Sequence, residues 1–306
     1  MRQSKVSVYL ITFNQAQFIA KALESVLAQK TAFDYEIVVG DDCSTDGTTE
    51  ILKAYQKRHR GKIRLILHDE NVGMMRNALD VLEGCGGEYI ACLEGDDYWT
   101  DPGKLQKQAD YLDHHTGCAL CHHTVDHISW PDERKLREFP STRYRDRSDG
   151  RDLAMFNYIQ TCSVMFRRKW LPPLGAQFRE LKLGDWPMFV LLSQRGWIGF
   201  LEETMAHYRV HSSNSWNGRP ADYKIRAMEK MAWYLLGRVN NSAKGMWKDM
   251  ILALALKEAA SAARSFSLLK AGERLRYFIV QSVRFRTPFW VFKRLWPYYR
   301  ANYLDS

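Results

Sequence analysis

Tyr89-Ile90-Ala91-Cys92-Leu93-Glu94-Gly95-Asp96-Asp97-Tyr98-Trp99 is the stretch on which the fold turns. Its first five residues form an unbroken apolar run, the pattern of a strand buried on both faces of a parallel sheet. Three carboxylates within four residues follow it. Acids at the carboxyl end of such a strand sit where open α/β sheets bind ligands. Their mutual repulsion is costly unless a cation offsets it. Two readings stand open at this point. One is a hard divalent cation held by one or two carboxylates, with its other positions on phosphate oxygens. The other is a solvated acidic turn that caps a helix starting near Pro102.

Working outward, the N-terminal half repeats this strand-then-polar-turn pattern. Residues 5–11 predict a first strand closed by Thr12-Phe13-Asn14, and Tyr35–Val39 a second ending in Gly40-Asp41-Asp42. Ile63–Leu67 predicts a third. Helical spacing over Gln17–Gln29, Thr48–His59 and Gly73–Leu82 separates them. Ser44 or Asp46 is a candidate N-cap for the second helix. The alternation of strand and helix predicts an α/β domain with a mostly parallel central sheet flanked by helices. Right-handed crossovers bring the polar strand ends to one edge.

Beyond the helix at Leu105–His115 the pattern changes. Ala119–Ile128 predicts a strand, residues 131–152 a long charge-rich surface loop, Ser163–Arg167 another strand, Trp186–Gln194 a helix and Ile198–Leu201 a short strand. From about residue 222 only helical patterns remain. The expected division is a domain over 1–220 and a helical appendage over 221–306.

The chain of 306 residues carries a formal charge of +9. That excess belongs to residues 222–306, with sixteen Lys and Arg against six Asp and Glu. Basic side chains there interleave with Phe289, Trp290, Phe292, Trp296, Tyr298 and Tyr299. Such a mixture suits an anionic membrane surface; the plainer alternative is a helical appendage packed on the core with snorkelling cations. A nucleic-acid partner would use the same charge but is not expected. The N-terminus has no signal-peptide pattern, and no apolar run is long enough to span a bilayer. The expected location is cytoplasmic, peripheral on the inner face of the cell membrane. Six scattered cysteines argue against a disulfide framework. Cys118-Ala119-Leu120-Cys121-His122 matches a haem-attachment pattern and half of a zinc site, but it falls in an expected strand, and packing residues are the preferred reading.

Four motifs stand in chain order: Val6–Asn14, Val38–Thr48, Glu94–Trp99, and Leu183-Gly184-Asp185-Trp186 followed by Tyr208-Arg209-Val210-His211-Ser212-Ser213-Asn214-Ser215. Together they resemble the inverting nucleotide-sugar glycosyltransferases of family 2, with the GT-A fold, over roughly residues 5–216. The resemblance implies a hexosyl- or N-acetylhexosaminyltransferase. Thr12, Asn14, Asp41 and Asp42 would lodge the nucleotide, with Arg76 and Asn77 approaching the donor. Glu94-Gly95-Asp96 takes the place of the Asp-x-Asp motif. Asp96 would ligate Mn²⁺ or Mg²⁺, Glu94 would reach ribose or a metal-bound water, and Asp97 would orient the sugar or brace the loop. Asp185 matches the catalytic base, and it would also cap the helix that follows. Here Gly184 precedes Asp185, where the usual pattern is Glu-Asp. His211 would be a second metal ligand, and Arg209 or Ser213 would hold phosphate. Gln160-Thr161-Cys162-Ser163 resembles a segment near the sugar site.

The implied donor is a nucleotide sugar, with UDP favoured. The implied acceptor is a glycan or polyprenyl-linked glycan of bacterial surface polysaccharide. A nucleotidyltransferase on a similar fold would want basic residues in the first Gly-rich loop, which Thr12-Phe13-Asn14-Gln15 lacks. A catalytically dead sugar-nucleotide binder is disfavoured by the intact Asp96 and Asp185.

Overall fold

The computed structural model describes residues 4–140, 146–212, 216, 218–264 and 268–285. The chain forms two compact units. The first comprises Met1–Asp149, Tyr158–Glu180 and Arg195–Ser212. The second comprises Gly150–Asn157, Leu181–Gln194 and Ser213–Ser306. Two internal segments thus belong to the same unit as the C-terminal helices, beside the expected boundary at residue 220.

The first unit is built on one sheet. Its strands are β1 (Val6–Thr12), β2 (Tyr35–Asp41), β3 (Ile63–Leu67), β4 (Tyr89–Glu94), β5 (Tyr98–Trp99), β6 (Cys118–Ser129), β7 (Lys135–Phe139), β8 (Arg147–Ser148), β9 (Met165–Arg167) and β10 (Trp197–Val210). Helices α1 (Ile19–Leu27), α2 (Thr48–Arg58), α3 (Met74–Gly84) and α4 (Lys104–His114) connect the early strands. The sheet order is β3-β2-β1-β4-β9-β6-β10-β5, with β7 beside β6 and β8 beside β10. Strands β1 to β4 run parallel. Antiparallel β9 stands between β4 and β6 and restores the original direction. Strand β10 runs parallel to β6. The carboxyl ends of β1, β2, β4, β6 and β10 thus share one edge.

The apolar runs that announce β1, β2 and β4 are buried throughout, with Val8, Leu10, Val39, Ala91 and Leu93 each at 0 % exposure. Burying the Val and Leu side chains among them contributes about 1.5–3 kcal/mol each. On α1, Ile19, Ala22, Leu23 and Val26 are buried at helical spacing, which fixes the face it turns to the sheet. Cys118 and Cys121 pack inside β6. The Cys118 thiol donates to the Leu120 carbonyl at 3.0 Å.

Two expectations for the middle of the chain are corrected. Part of the expected loop 131–152 is strand: Lys135–Phe139 pairs antiparallel with β6. Its Lys, Arg and Glu side chains belong to an exposed edge strand, where charge discourages pairing with other chains. Arg143 and Arg145 lie outside the described residues. The short strand expected at Ile198–Leu201 runs on to Val210, through register shifts between Leu201 and Ala206. Those bulges accommodate the exposed pair Glu202-Glu203, which reads as a strand end.

The second unit holds α5 (Gly150–Met155), α6 (Asp185–Ser193), α7 (Ala221–Leu236), α8 (Asn241–Arg264) and α9 (Leu268–Phe285). Helix α6 is apolar on every side, with Trp186 through Leu192 all buried. A helix of that kind must be covered all round, which is why it belongs with the helical unit. Glu258, fully buried on α8, pairs with Arg274 of α9 at 2.7 Å and faces Arg226 of α7 at 3.4 Å. Among the described residues no helix is long and apolar enough to cross a membrane.

Candidate active site

The loops that leave β1, β2 and β4 meet at the shared edge and are stitched by short polar side chains. Asn14 sits in the left-handed region at φ 51°, a conformation Asn tolerates. Its backbone N–H donates to Ser44 Oγ at 2.9 Å, and its Oδ1 accepts from the Thr45 N–H at 2.8 Å. Thr12 is buried and donates to Gln15 Oε1 at 2.8 Å. Gly95 packs directly above this pair: a Cβ there would meet Gln15 Oε1 at 2.4 Å and Thr12 Oγ1 at 2.8 Å. Only glycine lets the acidic loop approach β1 so closely. Asp46, a candidate cap, accepts from the Thr48 N–H and hydroxyl and from the Ala16 N–H. These bonds hold its carboxyl below the usual range despite partial burial, which pushes the other way.

Asp41 and Asp42 are both held by the loops around them. Asp41 is 1 % exposed, and its two oxygens accept from Ser44 and from the Thr49 hydroxyl. Asp42 is 3 % exposed and accepts from the Val72 N–H at 2.7 Å. Burial pushes its pKa up, opposed by the Val72 and Gly73 N–H groups. Both carboxylates tie the loops together. Arg76 chelates Asp80 through Nε at 2.8 and 2.9 Å, an i,i+4 pair on α3. Asn77 is 2 % exposed and donates to the Gly40 carbonyl at 3.0 Å. It is a strut between α3 and β2.

The acidic loop itself is sharply differentiated. Glu94 ends β4 and is half-buried. Asp97 is completely buried and accepts from the Arg209 N–H at 3.0 Å. Burial, with Asp96 and Glu94 beside it, pushes its pKa well above the ordinary value. The Arg209 hydrogen bond ties the acidic loop to β10. Arg209 is engaged by the same loop. Its guanidinium is 1 % exposed, donates to the Asp96 carbonyl at 2.7 Å and faces Glu133 at 3.8 Å. It lies over the Tyr98 ring at 4.3 Å, with Phe18 and Trp130 at 5.3 and 5.7 Å. A cation so enclosed pins the acidic loop.

Asp96 and His211 are brought together. Asp96 Oδ2 lies 3.1 Å from His211 Nε2, with side-chain exposures of 14 % and 6 %. The imidazole packs on Phe18 at 4.7 Å. Adjacent ligands on an octahedral ion with bonds of about 2.1 Å stand about 3.0 Å apart, so this pair has the spacing of neighbours on one cation. Among the described residues no group of three such ligands occurs. Phosphate oxygens and water would complete the shell, as is usual for Mg²⁺. Ser213, with Asn214 and Ser215, lies outside the described residues.

Asp185 belongs to the second unit. It is the first residue of α6, not its cap, and no side-chain cap bond forms at Gly184. Its Oδ2 accepts from Asn157 Nδ2 at 3.0 Å.

The family model described as glycosyl transferase family 2 matches residues 7–171. The chain belongs to this family. It is 39 % identical over 217 residues to the uncharacterized protein Rv1520 of Mycobacterium tuberculosis, covering 71 % of this chain and 62 % of that protein. The chain thus spans less than two thirds of that relative's length. It is 27 % identical over 255 residues to the putative teichuronic acid biosynthesis glycosyltransferase TuaG of Bacillus subtilis, covering 78 % of this chain and 96 % of TuaG. Among solved structures, S. aureus TarS 1–349 in complex with UDP-GlcNAc aligns with a TM-score of 0.63 at 18 % identity, over 90 % of this chain and 81 % of that one. The fold is that of the GT-A glycosyltransferases.

Within this family 2 frame, two partners escaped the sequence. Glu133, in the β6–β7 turn at φ 49°, reaches both Arg209 and Lys21. Asn157 orients Asp185 from 28 positions upstream. The charge-rich segment around Glu133 was a signal for the first; nothing in the spacing points to the second.

Proposed function

We propose that the chain is a metal-dependent, inverting glycosyltransferase that moves a hexosyl or N-acetylhexosaminyl group from a nucleotide donor, preferentially a UDP-sugar, to a hydroxyl of a glycan or polyprenyl-linked glycan. The observation that carries this reading is the Asp96–His211 pair, at the separation of adjacent metal ligands beside the acid loop. The imidazole donor favours Mn²⁺ over Mg²⁺, which prefers oxygen. When bound, the cation neutralises charge on the departing nucleoside diphosphate. Glu94 serves ribose or a metal-bound water. Thr12 and Asn14 shape the loop edge against which the nucleotide rests. Asp185 takes the proton from the acceptor hydroxyl as that oxygen bonds to the anomeric carbon and the bond to the diphosphate breaks. One displacement inverts the configuration. The name of TuaG supports a role in surface polysaccharide assembly.

The test is slow donor hydrolysis by the full-length protein over UDP-, GDP- and dTDP-sugars with Mn²⁺. One donor should release its nucleotide, chelator should abolish release, and Asp96→Ala should lower it by at least about 100-fold. Release that persists at full rate in chelator would overturn the metal assignment.

The basic C-terminal region supports a peripheral position on the inner face of an anionic membrane. On α9, Leu275, Ile279 and Val280 are 47, 54 and 53 % exposed beside exposed Arg276 and Arg284. Apolar side chains among cations suit a headgroup boundary. The aromatic stretch from Phe289 to Tyr299 lies outside the described residues. Leu275→Glu with Ile279→Glu should reduce co-sedimentation with anionic liposomes at least about fivefold while leaving donor hydrolysis in solution unchanged. Equal co-sedimentation would remove α9 from the interface.

A further inference from the structure

Asp96 and His211 reach their 3.1 Å separation from different elements, 115 positions apart. Asp96 lies in the loop between β4 and β5, and His211 directly follows β10. Two side chains that are to meet on one cation need outer groups that hold both arms in place. The turn between β6 and β7 touches both arms. Its ends are closed by the Ser129 N–H, which donates to the Arg134 carbonyl at 2.9 Å.

Trp130 engages the His211 arm. Its N–H donates to the carbonyl of Val210, the residue before His211, at 3.2 Å. Its ring meets Phe18 edge-on at 5.0 Å, and the His211 imidazole packs on the same Phe18 ring at 4.7 Å. Phe18 is 1 % exposed, so the ring between them has little room to shift. Glu133 engages the Asp96 arm. Its carboxylate lies 3.8 Å from Arg209 Nη2, and Nη1 of that guanidinium donates to the Asp96 carbonyl at 2.7 Å. Lys21 of α1 holds the Glu133 carboxylate at 2.7 Å, with its ammonium 4.0 Å from the centre of the Tyr98 ring. Glu133 stands at φ 49°. A side chain other than glycine is uncommon there and persists where its surroundings hold it.

We infer that Glu133 and Trp130 are positioning residues for the divalent cation: the β6–β7 turn clamps the two ligand-bearing segments so that the Asp96 carboxylate and the His211 imidazole meet at the spacing of one ion. This rests on the metal reading of that pair. The experiment measures Mn²⁺ binding without turnover. Full-length protein is titrated with Mn²⁺ at saturating UDP with no sugar donor present, and free Mn²⁺ is read from its EPR signal. Glu133→Gln keeps the shape of the side chain and removes its charge, so the Kd of Mn²⁺ should rise about tenfold. Trp130→Leu should raise it severalfold. Glu138→Gln, exposed on β7 of the same hairpin, should leave it within about twofold of wild type. UDP binding in chelator should stay within about twofold of wild type in all three variants. A Kd of Mn²⁺ within about twofold of wild type in both Glu133→Gln and Trp130→Leu overturns the inference, even where their melting temperatures fall. So does a rise that Glu138→Gln shares, or one matched by weaker UDP binding in chelator. Should Trp130→Leu fail to fold, Glu133→Gln decides alone, since that side chain is 37 % exposed. A wild-type chain that binds no Mn²⁺ beside UDP overturns the parent reading, and this inference with it.

Discussion

Asp185→Asn should lower the rate of sugar transfer by about 10³–10⁴-fold while leaving UDP binding and thermal stability close to wild type. The amide keeps the shape of the side chain and a carbonyl oxygen for the Asn157 N–H, now at 3.0 Å from Oδ2. It cannot accept a proton from the acceptor hydroxyl. The position is half-buried at the start of α6, so the stability cost is limited to a weaker interaction with the helix dipole, about 0.3–1 kcal/mol. Donor hydrolysis is a second readout with the same expectation. Water attacking the donor also needs a base, so hydrolysis and transfer should fall together if Asp185 is that base. Asn157→Ala should have a smaller effect, about tenfold on kcat, because it removes only the group that holds the carboxylate in place. Transfer by Asp185→Asn at more than about a tenth of the wild-type rate would exclude it as the base.

How much of this was legible in the sequence depended on where the deciding information lay. Strands β1, β2 and β4 were readable because a parallel strand buried on both faces needs an unbroken apolar run. The acid loop was readable because it follows such a run directly. The pairing of Asp96 with His211 was reachable only through the order of motifs, since 115 positions separate them. Strand β7 was hidden because Lys135-Leu136-Arg137-Glu138-Phe139 is exposed at an edge, where no core imposes an apolar pattern. The length of β10 was hidden by bulges that let Glu202 and Glu203 face water inside a strand. The directions of Asp41, Asn77 and Arg209 were not readable at all. Spacing gives a residue's place along the chain, but whether a polar side chain turns to a ligand or to a backbone carbonyl is decided by its three-dimensional neighbours. The placement of α6 with the C-terminal helices follows the same logic: its all-round apolar surface was visible, but the elements that cover it were not.

Arg209→Leu should lower the melting temperature of the nucleotide-free protein by about 5–10 °C, and this separates a brace from a phosphate ligand. A phosphate ligand at the surface contributes little in the absence of the nucleotide. Arg209 instead donates to the Asp96 carbonyl at 2.7 Å and is enclosed by Tyr98, Phe18 and Trp130. A hydrogen bond from a charged donor contributes about 1.5–3 kcal/mol, and a desolvated cation over aromatic rings about 0.5–2 kcal/mol. Removing the cation also relieves the cost of burying it, which lowers its pKa, so the net loss expected is about 2–3 kcal/mol. Arg209→Lys should recover less than half of it, because an ammonium lacks the planar fork that reaches the Asp96 carbonyl and stacks on Tyr98 at once. The functional consequence follows from the same contacts. With its carbonyl released, Asp96 no longer holds its carboxylate at a fixed distance from His211, so the apparent affinity for Mn²⁺ should fall about 10–100-fold. Differential scanning calorimetry without nucleotide, followed by Mn²⁺ titration of donor hydrolysis, reads both effects. A melting temperature within about 1 °C of wild type, together with weakened UDP binding, would return Arg209 to the role of phosphate ligand.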